Sequence, residues 1–126
     1  MSHQVTYNPD SRLIESNVQG DLSLEEAKQL IAEIGVTAKE NNCFLCLSDY
    51  REATMNLSTV EIYEIPGILA GSLASMGVDA QKFKRAIVVG RSLEDFHFYE
   101  TVSLNTGQNI KLFLDMDEAR KWLLKR

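Results

Sequence analysis

An α/β domain built on a mixed sheet is the fold class this sequence predicts, and three observations predict it. Short apolar runs that read as buried strands, "CFLCLSD", "RAIVVG" and "NIKLFLD", alternate with longer stretches whose apolar residues recur at helical spacing. A serine or an aspartate stands at the head of each helical stretch, where its side chain can satisfy a free backbone N–H. A hairpin precedes the alternating part. The expected order is therefore β-β-α-β-α-β-α-β-α, with parallel members, right-handed crossovers and helices covering the sheet.

The hairpin rests on "QVTYN" and "RLIESNVQG", joined by Asn8-Pro9-Asp10-Ser11, whose proline and asparagine favour a turn. Ser23 stands three residues before Glu26, the spacing of a capping box. Leu24, Ala27, Leu30, Ile31, Ile34 and Ala38 then form one apolar face, and Asn41 and Asn42 close the first helix. "CFLCLSD" is nearly all apolar, as expected of a strand covered on both sides. Ser58 and Glu61 repeat the box, with Leu57 and Ile62 placed as a hydrophobic staple. Ile62, Ile65, Leu69, Leu73 and Met76 carry that face to Gly77, and Pro66 inside it predicts a kink or a break. After "RAIVVG", Ser92 and Asp95 open a third helix bearing Leu93, Phe96, Tyr99 and Val102, closed near Gly107. Asp115, three residues before Glu118, caps a last helix with Met116, Ala119 and Leu123 turned inward.

The 126 residues are enough for one domain, spanning 1–126, with a core of its own. A net charge of −5 argues against a nucleic-acid partner, which calls for a basic surplus. No basic flank with an apolar run opens the chain, and "IPGILAGSLASMG" is too short and too interrupted to cross a bilayer. The expectation is a cytoplasmic protein without a membrane span. Cys43 and Cys46 spell C-x-x-C, but in a strand an offset of three sends side chains to opposite faces. Neither a helix start nor further ligands accompany them, so they read as buried structural thiols; no metal and no cofactor is expected.

Open α/β sheets bind ligands beyond the carboxyl ends of their strands, which falls here on Ser48-Asp49-Tyr50-Arg51, Gly90-Arg91-Ser92 and Asp115. Tyr50, Arg51 and Arg91 could line a polar site there. No glycine-rich phosphate loop and no G-x-S-x-G elbow follows a strand, so no residue is assigned as catalytic. Asp49 and Glu52 read as solvated carboxylates. The basic run Lys82-Phe83-Lys84-Arg85 reads as a solvated edge, and Tyr63, Phe96, Phe98, Tyr99 and Trp122 as core or half-exposed packing. Ser58 is foremost a helix cap, although a phosphate there would suit the positive end of the helix dipole.

Three phrases, "QGDLSLEEAKQL", "FLCLSDYREATMNLSTVEI" and "FLDMDEARKWLL", together with the element order, resemble the SpoIIAA-like superfamily. That superfamily includes the STAS domains of anti-sigma-factor antagonists. The last phrase looks like the ending of its uncharacterised STAS/SEC14-type bacterial branch. In the antagonists, the loop before the second helix carries Asp-Ser-Ser/Thr-Gly, and the second hydroxyl residue is phosphorylated by a partner kinase. Laid without gaps, that motif falls on Asn56-Leu57-Ser58-Thr59, and only Ser58 matches.

The resemblance implies a non-enzymatic regulatory or protein-interaction module, homodimeric by family habit, with Asn56, Ser58 and Thr59 as the regulatory or partner-binding surface. The kinked helix beyond Pro66 would extend it. Because the superfamily is related to CRAL-TRIO lipid carriers, the rival expectation is a carrier or sensor of a small apolar or lipid-like ligand. Ile62, Ile65, Leu69 and Met76 would line its pocket. A third expectation, an enzyme acting at Tyr50, Arg51 and Arg91, ranks below both.

Overall fold

The computed structural model describes residues 2–125. It contains the expected elements in the expected order: β1 (Ser2–Asn8), β2 (Leu13–Leu22), α1 (Leu24–Asn41), β3 (Leu45–Met55), α2 (Thr59–Ser75), β4 (Lys84–Val89), α3 (Leu93–Asn105), β5 (Asn109–Phe113) and α4 (Met116–Leu124). One addition is a 3-10 turn at Ala80–Lys82, opened by the Asp79 carboxylate accepting from Gln81 N. The strands lie in the order β1-β2-β3-β4-β5, with β1 antiparallel to β2 and the remaining pairs parallel.

That strand order dictates where the helices go. Each parallel strand is added on the same side of the last, so right-handed crossovers place every connecting helix on one face. Accordingly α1, α2 and α3 share the large core with Ile14, Val18, Cys46, Ile87 and Val89. α4, which follows the last described strand, packs on the other face, where Ala119 and Leu123 meet Leu13, Leu47, Ala86 and Val88. Strand alternation therefore sends odd and even residues of β4 into two different cores. Beyond α4 this second face carries polar side chains, among them Thr6, Glu15, Asn17 and Asp49, which border an open depression.

Local chemistry explains the boundaries. Asn8 Oδ1 accepts from the backbone N–H groups of Asp10 and Ser11 at 3.0 and 3.3 Å and shapes the hairpin turn. Asn42 closes α1 in a left-handed conformation, with φ 47°. Gly90 lies where a Cβ would stand 3.0 Å from the Arg51 carbonyl oxygen, so the end of β4 can approach β3 only without a side chain.

Several expectations need correction. α2 is unbroken through Pro66, which is itself buried in the core. Here packing of the apolar face outweighs the lost backbone hydrogen bond. Cys43 precedes β3 rather than belonging to it, and both thiols are free and buried in the same core, not on opposite faces. Leu93 and Tyr63 are exposed rather than packed inward. Ser92 heads α3 without a side-chain cap bond, and its hydroxyl accepts instead from Met55 N at 3.4 Å. Arg85, read as part of a solvated edge, is 8% exposed.

Candidate functional site

The first turn of α2 is built as its residues require. Ser58 Oγ accepts from Glu61 N at 3.1 Å, and Glu61 Oε1 accepts from Ser58 N at 2.9 Å, a closed capping box. Leu57 packs against the large core together with buried Ile62, which completes the staple. Asn56 is tied to the end of β2 by its N–H, which donates to Leu22 O at 2.8 Å. The side chains of Asn56, Ser58 and Thr59 are left in solvent. Val60 and Tyr63, 65% and 66% exposed, stand on the following turns. A solvent-facing patch of hydroxyl, amide and apolar groups results.

The apolar α2 residues read as a ligand or partner surface are turned toward the core. Ile62, Ile65 and Leu69 are buried in the core, and Met76 is half-buried against Gly35 of α1. Their spacing makes an inward face, not a docking face.

β3 outlasts the strand end read from the sequence. A register irregularity between Asn17 and Gln19 lets it continue beside Gly20, Asp21 and Leu22, so it ends at Met55. Tyr50 and Arg51 are thus strand residues that point to opposite faces. Tyr50 packs against Phe96 with ring centroids 5.3 Å apart, and burial pushes its phenol pKa up. Arg51 lies on the open polar face, where Nε and Nη2 donate to the Asp49 carboxylate at 3.0 and 2.9 Å. Those bonds hold the Asp49 carboxyl below its ordinary pKa. Arg91 pairs with Glu52 at 3.1 Å. The three residues considered for catalysis do not share a site, and Asp49 and Glu52 each face an arginine.

Between the sheet and α1, α2 and α3 lies a cavity of about 50 Å³, which counts Ile65 and Leu69 among its lining and excludes Ile62 and Met76. Its wall is apolar except for Ser48, Tyr50, Arg85 and Tyr99. Arg85 Nη1 donates to the Tyr99 hydroxyl at 2.8 Å and Nη2 to Gln108 Oε1 at 2.9 Å. Gln108 Nε2 in turn donates to Pro66 O at 2.8 Å. The chain of bonds joins β4, α3, the approach to β5 and the middle of α2. Among the described residues no carboxylate forms an ion pair with Arg85. Sequence reasoning missed this cluster, although one signal was present. Phe83, Arg85, Ile87 and Val89 alternate onto one face whose other members are apolar, and a period of two places the arginine inside.

Among the described residues, no group of histidine, cysteine and acidic side chains is arranged to hold a metal. No helix among them is long and apolar enough to cross a membrane.

The architecture is that of an α/β protein of SpoIIAA-like fold. A similar solved structure is that of an uncharacterised DUF3478-family protein with a SpoIIAA-like fold from Shewanella loihica PV-4. The two share 19% identity with a TM-score of 0.57, over 97% of this chain and 92% of that one. No family model matches the sequence, and no curated protein does.

Proposed function

We propose that this chain is a non-enzymatic regulatory or interaction module that meets a protein partner with the first turn of α2. One observation carries the reading: Ser58 is held in a closed capping box, solvent-facing, beside the exposed Val60 and Tyr63. Exposed apolar groups next to fixed polar ones are the composition of an interface centre and its rim. A homodimer and a cytoplasmic setting complete the reading; the first draws on the resemblance to STAS domains and the second on the lack of a signal-like or membrane-spanning segment in the sequence.

Regulation by phosphorylation of Ser58 would work by displacement. Glu61 already occupies the Ser58 N–H, so a phosphate would meet a carboxylate and open the box. Affinity capture from native lysate with wild type, Val60→Asp and Tyr63→Ala tests the surface. A partner held by the wild type and lost by both variants supports it. Equal capture by all three removes it.

The second reading, a binder of a small apolar or lipid-like molecule, draws on the interior cavity. At about 50 Å³ it is well below the roughly 150 Å³ that admits benzene, so a lipid chain would require α1–α3 to move apart. Native mass spectrometry of gently purified protein tests it: a reproducible adduct of lipid mass supports this reading, and bare protein opposes it.

A further inference from the structure

Arg85 poses a problem of charge. A guanidinium stays protonated at any physiological pH, and placing it in a core is costly without an anion to offset the lost hydration. At 8% exposure its hydrogen-bond partners are the neutral Tyr99 hydroxyl and Gln108 amide oxygen. It also borders the cavity between the sheet and the three helices.

We infer that this cavity is a binding site for a short-chain aliphatic carboxylate, its anionic head held by Arg85 and its tail by the apolar wall. Several features converge on that class. The planar guanidinium favours a carboxylate, which it can meet through two N–H groups. Tyr99 accepts from Arg85, which leaves its own O–H free to donate; Ser48, which accepts from Ser16 at 2.8 Å and lies 3.6 Å from Cys46 Sγ, adds a second hydroxyl to the lining. Elsewhere in the lining, Leu30, Ile34, Leu69 and Phe96 offer only hydrocarbon. The volume bounds the size. Since roughly 10–15 Å³ holds one water in this measure, about 50 Å³ suits about four water-sized groups, the bulk of acetate with its two carbons and two oxygens. Of all the lining residues only Tyr50 and Met55 are partly exposed, which places the entrance at the far half of β3, next to the loop that carries Asn56.

This inference narrows the second reading to an anionic ligand and is independent of the α2 surface. Isothermal titration calorimetry with sodium acetate, sodium chloride and ethanol on the full chain tests it. Acetate should bind, with chloride and ethanol at least tenfold weaker. Arg85→Met should weaken acetate at least tenfold. Ala27→Val, which adds two methyl groups to the cavity wall and spares Arg85, should do the same while circular dichroism stays native. An equal response to chloride, no response to acetate, or undiminished acetate binding by folded Ala27→Val overturns the proposal. Binding of ethanol as tight as that of acetate also overturns it, but leaves the apolar-ligand reading standing. Should Arg85→Met fail to fold, the Ala27→Val comparison decides.

Discussion

Arg85 and Tyr99 meet inside the core, Nη1 donating 2.8 Å to the phenol oxygen, and that contact joins β4 to α3. A hydrogen bond to a buried charge contributes more than a neutral one, because the charge has lost its water. Tyr99→Phe should therefore lower unfolding free energy by about 1.5–3 kcal/mol in urea titration. Tyr63→Phe, at an exposed site, should stay within about 0.5 kcal/mol of wild type. Equal effects at the two tyrosines would mean that the buried network carries no special weight.

The Ser58–Glu61 box makes a second, separable forecast. Ser58→Ala removes the acceptor for Glu61 N and should cost about 1 kcal/mol in the same measurement. Ser58→Asp keeps a capping oxygen and should recover part of that loss, set against repulsion from Glu61. Stability unchanged in Ser58→Ala would show that the box is ornamental.

Gly67 sits in the middle of α2 with open space where a Cβ would go. Gly67→Ala should raise stability by about 0.5–1 kcal/mol, since the helix then orders a less flexible residue. A fall in thermal midpoint would mean that the backbone near Pro66 is not the regular helix described.

Acid and alkali should act on opposite groups. The Asp49 pKa is lowered by Arg51, so its contribution is present above the unfolded carboxylate pKa and is lost as pH falls through the folded one. Asp49→Asn should flatten the stability profile below about pH 4. Tyr50 has a raised pKa, so its neutral form is stabilising below about pH 10 and that contribution is lost as pH rises beyond it. Tyr50→Phe should make the alkaline limb shallower. Profiles that coincide with wild type at both ends would contradict these assignments.

The buried thiols offer a simpler check. Burial raises the Cys46 pKa and removes it from solvent, so neither cysteine should react with iodoacetamide near neutral pH until the protein unfolds. Rapid labelling of native protein would place a thiol at the surface.

The class of fold and the order of its elements were legible in the chain because they depend on local signals. Ser58 and Asp115 cap their helices in the way their spacing to Glu61 and Glu118 implies. The inward faces of α1 and α2 follow directly from apolar periodicity. What the sequence left open were quantities set by neighbours distant in the chain. The extra length of β3 depends on a register irregularity with β2, and the loop-like spelling of "REATM" gives no sign of it. Tyr50 and Arg51 part company because a strand alternates, which becomes visible only once β3 is known to continue. The burial of Arg85 was decided by three helices closing over the sheet, since a charged residue beside two lysines looks solvated until its strand face is known. Local spelling determined where each segment turns, coils or extends; the closing of one segment over another determined which charges lost their water.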